Sequence, residues 1–384
     1  MDLNLTDEQQ MIKETMKRFT DEEIVPVARE NDINESFPRD ILNKIASLGF
    51  LGGPIEEKYG GAGMEYISYG IMIEEIGRGC SSVRTTLSVQ ISLVGLTIQR
   101  WGSEEQKEKY LPMLCSGDMI GCFGLTEPGA GSDAVNQSTT ALLKKDEWVI
   151  NGTKTWISNG GVADLAIVFA QTDKKKGHKG LAAFLIERGT HGFSTIDIRG
   201  KLGLRSSNTA QLIMENCWIP KANILGEVGD GFKIAMSALD NGRYSVAAGC
   251  VGIVQGCIDA SIRYAKERKQ FDRPIASFQL VQDMIARMIV DREAAILLVY
   301  NAGHLKNKGI MATKEISIAK YFASEASMRA ATDAIQIHGG YGYSNEYPVE
   351  RYFRDAKVST IYEGTSQIQK LIIGRDALGI QAIR

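Results

Sequence analysis

At about 150 residues per domain, the 384-residue chain makes two or three domains with ample length to bury their cores. Its 23% charged and 44% hydrophobic content excludes long disorder and collagen-like repeats, and 44 Lys plus Arg nearly cancel 46 Asp plus Glu, so no overall basic field gathers nucleic acid or anionic lipid. Six cysteines (Cys80, Cys115, Cys122, Cys217, Cys250, Cys257) lack C-x-x-C spacing, and four histidines (His178, His191, His304, His338) lack the short spacing of a zinc site. Reduced thiols serving as small apolar filler, and no metal, are expected. Met1 to Gln10 is polar and lacks the basic and apolar regions of a signal peptide, and no run of ~18 apolar residues follows. The expectation is a soluble protein without membrane insertion, cytoplasmic or the mature form of an organelle-matrix enzyme.

In chain order, Thr6 with Gln9 three residues on reads as a capping box, and Met11, Ile12, Thr15 and Phe19 continue at helical spacing. Helical patterns follow at about Arg39 to Leu48, Ile67 to Arg78, Ser82 to Trp101 and Glu104 to Cys115, broken by the turn-rich Glu57 to Gly63. From Gly121 to about Gly231 the apolar runs become short and β-branched. Trp148 to Ile150 and Lys154 to Ser158 flank Asn151-Gly152, the spacing of a hairpin with an Asn-Gly turn. Leu165 to Ala170, Leu181 to Ile186 and Ala210 to Met214 add strands too closely spaced for intervening helices, which predicts an antiparallel, barrel-like β domain. Helical period returns from Phe232, with Val246, Cys250, Ile253, Cys257 and Tyr264 on one face. Further helices are predicted at about Ser277 to Lys306, Thr313 to Ile337 and Ser366 to Leu378. The expected class is mainly α with a β middle domain: a helical domain over 1–118, a β domain over 119–232 and a four-helix bundle over 233–384.

No G-x-G-x-x-G lies between a strand and a helix and no G-x-x-x-x-G-K-[ST] loop occurs, which disfavours nicotinamide dehydrogenases and P-loop enzymes. Three segments remain as candidates for chemistry. Phe123 to Asp133, rich in Gly and containing Pro128, lets backbone approach a ligand with free N–H donors, or is an ordinary glycine loop. Trp156 to Gly160 sets an aromatic face beside a hydroxyl, which suits a flat ring ligand with a polar edge, or it holds a core tryptophan. Glu363, within Ile361 to Thr365, is a lone carboxylate among apolar neighbours: a base with a raised pKa, or a solvated helix-cap glutamate, the simpler account from these residues alone.

These segments, with Leu239 to Arg243, Arg268 to Phe271 and Gln336 to Tyr343, resemble the acyl-CoA dehydrogenase family in order along essentially the whole chain. The resemblance implies FAD-dependent conversion of an acyl-CoA thioester to its trans-2-enoyl form, with Glu363 taking the α proton and FAD N5 the β hydride. The Glu363 amide would bond the thioester carbonyl. It further implies that FAD is held by Phe123, Leu125, Thr126, Gly131, Ser132, Trp156, Ile157 and Ser158. Arg268, Phe271, Gln279, Gln336, Gly339 and Gly340 would reach the FAD of a neighbouring subunit of a homotetramer, with Thr365 and Gln367 closing over the cofactor. Ser132, Asp240, Arg243 and Gly364 would contact the acyl-CoA. For Arg243 a helix-surface ion pair is the plainer alternative, and no strong basic cluster for the CoA phosphates stands out. Electrons would pass to an electron-transferring flavoprotein.

The chain looks most like the short-chain, butyryl-CoA type enzymes. Arg84, however, stands where simple fatty acyl enzymes have an apolar or small residue. Arg84 to Val94 and the tail Gly379 to Ile383 are similar to glutaryl-CoA dehydrogenases, in which such an arginine binds the distal carboxylate. The competing account turns Arg84 to solvent or pairs it with Glu74 or Glu75. Two other classes are weighed. An acyl-CoA oxidase is usually longer, and a non-catalytic scaffold does not account for intact flavin segments and Glu363.

Overall fold

The computed structural model describes residues 4–382, so Ile383 of the tail and Met1 at the start lie outside the described residues. Seven helices open the chain: α1 (Asp7–Phe19), α2 (Val25–Asn34), α3 (Arg39–Ser47), α4 (Tyr66–Gly79), α5 (Ser81–Ser88), α6 (Leu96–Trp101) and α7 (Glu104–Ser116). Thr6 and Gln9 form the expected capping box, each satisfying the other's backbone amide. The helix from Ser81 to Trp101 runs through a π-helical stretch at Val89–Gly95, buried throughout. Helix α2 has no sequence counterpart above, because its polar residues show little amphipathic period.

The middle sheet comprises β1 (Gly121–Gly124), β2 (Thr140–Lys144), β3 (Glu147–Ser158), β4 (Leu165–Gln171), β5 (Leu181–Glu187), β6 (Phe193–Asp197), β7 (Thr209–Pro220) and β8 (Ile224–Leu225). They pair in the order β6-β7-β3-β2-β4-β5-β8, with β1 added to β4. The ladders are antiparallel except that β1 runs parallel to β4, and β2 meets β4 in a single parallel bridge. The Asn151-Gly152 hairpin is corrected. β3 runs unbroken through that pair, the turn falls at Lys145-Asp146 between the Lys144 and Glu147 partners, and Lys145 takes φ +56°. Asn151 Oδ1 accepts instead from the Asn216 amide on β7, and the ladder shifts register there, so the pair marks a bulge.

After the sheet come α8 (Gly231–Glu267), a two-residue ladder of β9 (Lys269–Gln270) and β10 (Arg273–Pro274), then α9 (Gln279–Asn307), α10 (Thr313–His338), α11 (Val349–Ser359) and α12 (Ser366–Leu378). Helices α8, α9 and α10 pack on one another, and α4 of the first domain lies along α8. One stretch departs from the expectation that no apolar run is long enough to cross a membrane. α8 passes by length and composition, yet 78% of its most apolar window is buried inside the protein. Val246, Cys250, Ile253, Cys257 and Tyr264 on it are core residues, and all six cysteines are free and buried.

Backbone approaches backbone where α4 crosses α8. A Cβ at Gly252 would strike the Glu74 carbonyl, one at Gly77 the Gly249 carbonyl, and one at Gly256 the Arg78 carbonyl. Glycine at these positions therefore sets how closely the first and third domains meet.

Candidate active site

A cavity of about 1200 Å³ lies where the three domains converge. It collects wall residues from α5, the loop after β1, the end of β3, α8 and the α11–α12 connection. The sequence candidates Arg84, Phe123, Leu125, Thr126, Gly131, Ser132, Trp156, Ile157, Ser158, Asp240, Arg243, Glu363 and Gly364 all line it.

The loop after β1 is fixed from below by a buried ion pair. Lys154 on β3, wholly buried, donates through Nζ to Glu127 Oε1 (2.7 Å) and Gln137 Oε1 (2.9 Å). Glu127 also accepts from the Ser138 amide (2.6 Å) and the Thr139 amide (3.0 Å). Burial opposes its ionisation, but the adjacent ammonium and these hydrogen bonds hold its pKa down at about 2. The Thr155 amide bonds the Thr126 carbonyl (2.9 Å), so two candidate segments are clamped edge to edge. Above the clamp, the amides of Thr126, Gly131 and Ser132 have no acceptor among the described residues. The core reading of Trp156 is corrected: it sits at φ +60°, out of the β3–β7 ladder, and is 62% exposed at the cavity wall. An uncovered indole beside free amides is what a flat, polar-edged ring system would occupy.

Glu363 is no solvated cap. Thr365 caps α12 through its hydroxyl, while Glu363 sits in the left-handed region at φ +52°, followed by Gly364 at φ +89°. Its Oε2 is buried without a hydrogen-bond partner. The carboxylate lies so tightly on α8 that a Cβ at Gly242 would collide with it. Burial raises its pKa to about 7, against the opposing pull of Arg243, Lys320 and Arg84. The two main-chain carbonyls of this turn are taken up by cationic and amide donors. Arg243 Nε donates to the Glu363 carbonyl (2.9 Å), Lys320 Nζ to the Gly364 carbonyl (2.8 Å), and Gln369 Nε2 to both (3.2 and 3.0 Å). The amides of Glu363, Gly364 and Thr365 have no acceptor among the described residues, which leaves three successive donors beside the carboxylate. Arg243 also pairs with Asp240 (3.2 Å), but it is buried, so the helix-surface account fails. Lys320 and Gln369, one on α10 and one on α12, escape sequence reading because only the fold brings them under the turn.

Arg84 is 1% exposed and points into the cavity. Both alternatives for it fail: Glu74 pairs with Arg292 (3.0 Å) and Glu75 with Arg78 (2.8 Å). Arg84 Nη2 donates to the Tyr362 hydroxyl (2.6 Å), while Nε and Nη1 are buried without partners. Thr85 Oγ1 nearby is also unpartnered, and Ser88 joins it in the wall. The guanidinium packs against Gly249, as Glu363 packs against Gly242. Those glycines are seven residues apart on one face of α8, which separates the two groups by about 10 Å along the helix.

The remaining candidates are not brought into this cavity. Arg268, Phe271 and Gln279 lie around the β9–β10 ladder, exposed, and Gln336, Gly339 and Gly340 are exposed at the end of α10. Thr365 is half-buried and Gln367 exposed at the start of α12.

Helical, sheet and helical domains around one deep cavity, with a buried carboxylate beside free amides, match domain by domain. Residues 6–118, 122–217 and 229–378 match the acyl-CoA dehydrogenase N-terminal, middle and C-terminal domains. The chain is 46% identical to the short-chain specific acyl-CoA dehydrogenase of Clostridium acetobutylicum, over 97% of this chain and 98% of that one. It is 45% identical to the glutaryl-CoA dehydrogenase of Desulfococcus multivorans, over 99% of each. The butyryl-CoA dehydrogenase structure from Megasphaera elsdenii superposes with a TM-score of 0.96 at 43% identity, covering 98% of this chain and 100% of that chain. The chain belongs to the acyl-CoA dehydrogenase family, and is a flavin-dependent oxidoreductase of that class.

Proposed function

We propose that the protein is an FAD-dependent dehydrogenase of a short acyl-CoA whose acyl chain ends in a second carboxylate, of the glutaryl type. The observation that carries the substrate is Arg84, a buried cation that lines the cavity with two unpartnered guanidinium nitrogens, beside the unpartnered Thr85 hydroxyl. A buried guanidinium without an anion is costly, and a ligand carboxylate supplies the missing partner. The spacing fits. Glu363 and Arg84 stand about 10 Å apart along α8, and a five-carbon diacid fills that with ~4 Å from α-carbon to distal carboxyl and ~3 Å of contact at each end.

The cavity wall suits FAD: Trp156 offers an uncovered ring face, and the amides of Thr126, Gly131 and Ser132 offer donors. FAD, when bound, supplies the acceptor for the hydride leaving the β-carbon. The chain supplies the rest. Glu363 takes the α proton, and its poor solvation makes it a base near neutral pH rather than near 4.5. Its own amide, held outward because the neighbouring carbonyls are tied back by Arg243, Lys320 and Gln369, stabilises the negative charge that develops on the thioester oxygen. Arg268, Phe271, Gln279, Gln336, Gly339 and Gly340 then serve the FAD of a neighbouring subunit in a tetramer. Thr365 and Gln367 close over the same cofactor, and electrons leave to an electron-transferring flavoprotein.

A second reading, a short straight-chain monocarboxylic substrate, is favoured by the Tyr362 hydroxyl on Arg84, which gives the cation one internal partner. Anaerobic titration of the holoenzyme with glutaryl-CoA and butyryl-CoA, following flavin absorbance, separates the two. Bleaching at lower glutaryl-CoA concentration, lost in Arg84→Met, is expected. Equal bleaching by both, unchanged in Arg84→Met, refutes the diacid substrate.

A further inference from the structure

Behind the Arg84 end of the cavity runs a line of buried hydroxyl groups drawn from α4, α5, α8 and the π-helical stretch. Ser88 Oγ, at the end of α5, lies 2.6 Å from Ser245 Oγ on α8. Ser245 Oγ accepts from the Tyr69 hydroxyl on α4 (3.2 Å), and the Tyr69 oxygen lies 2.8 Å from Ser92 Oγ in the stretch Val89–Gly95. All of these residues are at most 1% exposed. Of them only Ser88 lines the cavity, one helical turn from Arg84 and beside Thr85. Thr86 ties its hydroxyl to the Ser82 carbonyl one turn back. Ser88, Ser245 and Ser92 make no such bond, and among the described residues their hydroxyls have only one another and Tyr69 as partners.

The direction of the line follows from its protons. Each hydroxyl has one proton to give, and the line has one bond fewer than it has hydroxyls. Burial raises the Tyr69 pKa to about 12, so the phenol keeps its proton and remains a donor. Ser92 has no neighbour but Tyr69 and gives to it, Tyr69 gives to Ser245, and Ser245 gives to Ser88. The one proton left over sits on Ser88, which alone has a cavity in front of it. Reversing the last bond would leave Ser245 with an unshared O–H in the interior, at a cost of about 1–3 kcal/mol. Bonds aligned in one sense also polarise one another, which strengthens the terminal donor.

We infer that Ser245, Tyr69 and Ser92 are positioning residues that hold Ser88 as a donor only, so that this end of the cavity selects an acyl terminus that accepts hydrogen bonds and gives none. The inference rests on the reading of the cavity as a diacid site. A terminal carboxylate accepts from Arg84 and from Ser88 together. A terminal amide of the same shape brings N–H groups that neither Arg84, which has no acceptor, nor a Ser88 turned outward can receive.

The test compares the holoenzyme with its Ser245→Ala, Ser88→Ala and doubly substituted variants, on glutaryl-CoA and on the terminal monoamide of glutaryl-CoA. The wild-type preference for acid over amide, as a ratio of kcat/KM, is expected to fall about tenfold in Ser245→Ala, equivalent to ~1.4 kcal/mol. The reason is that Ser88, released from its partner, can turn and accept from the amide. Most of the change should lie in KM. Because Ser245 acts through Ser88, the double variant should lose no more than Ser88→Ala alone. Ser245→Cys, which keeps the volume with a weaker hydrogen-bonding group, serves as the second variant and should shift the ratio in the same direction. An unchanged ratio in both Ser245 variants, or losses that add in full in the double variant, overturns the inference. A wild type that takes butyryl-CoA as readily as glutaryl-CoA overturns the diacid reading itself, and this inference with it.

Discussion

Replacing Glu363 by glutamine should make the ligand-free protein more stable, and only above a certain pH. The carboxyl has an ordinary pKa near 4.5 and one of about 7 in the fold, where burial penalises its charge. At pH 4 it is largely protonated in both states and contributes little. Between 4.5 and 7 the unfolded chain ionises while the folded one does not, so stability falls as pH rises. Above pH 7 both are ionised, and the folded state carries a penalty of 2.5 pK units, or roughly 3 kcal/mol. Glutamine removes that penalty but leaves an amide where Oε2 now has no partner, at a cost of about 1 kcal/mol. The net gain is about 2 kcal/mol at pH 8, falls to zero near about pH 5 and becomes a loss of about 1 kcal/mol at pH 4. Urea unfolding of both proteins at pH 4, 6 and 8, in the same flavin state, measures it. A glutamine variant no more stable than wild type at pH 8, or equally favoured at pH 4, would refute the account of Glu363 as a desolvated base. The same substitution should abolish flavin bleaching by substrate.

In wild type, the rate of flavin reduction should rise with pH to a midpoint near 7, because the base acts when deprotonated; a stopped-flow pH series checks this. Lys320→Met removes both a donor to the Gly364 carbonyl and a positive neighbour of Glu363, so that midpoint should move up and the rate at pH 7 fall about tenfold. An unmoved midpoint would leave Lys320 a structural residue only. Lys154→Met strands Glu127 in the interior and should destabilise by about 3–5 kcal/mol and loosen FAD, with Lys154→Met/Glu127→Leu recovering part of both. Thermal melts with released-flavin fluorescence report the two effects separately.

Much of the architecture is readable from periodicity. α12 was expected over Ser366 to Leu378 and lies there, because its cap and its terminal glycine are both local signals. Asn151-Gly152 misled because a local turn preference yielded to pairing of β3 with β7 on both sides of the pair. Glu363 was ambiguous alone, since its character depends on neighbours that come from α8 and α10. The family motifs marked it, but not the tie-back of two carbonyls that shapes its turn. Arg84 was singled out by its departure from pattern, yet its unpaired state became visible only when Glu74 and Glu75 were seen to have other partners. The buried Lys154–Glu127 clamp carried no sequence signal, since an isolated lysine in a strand reads as an outward-facing residue.

The glycines between α4 and α8 have a bearing on how such an enzyme can change its diet. Gly249 touches both sides of the seam: its carbonyl meets Gly77, and its missing side chain is the space in which the Arg84 guanidinium lies. One methyl group at position 249 would therefore collide with the Arg84 side chain and displace it. The α8 face is closed to a larger side chain at 249, whereas the α5 residues Arg84, Thr85 and Ser88 across from it line the cavity. The rigid seam concentrates evolutionary freedom into one short helix, where a single codon at 84 separates a pocket with a charged end from one with a greasy end.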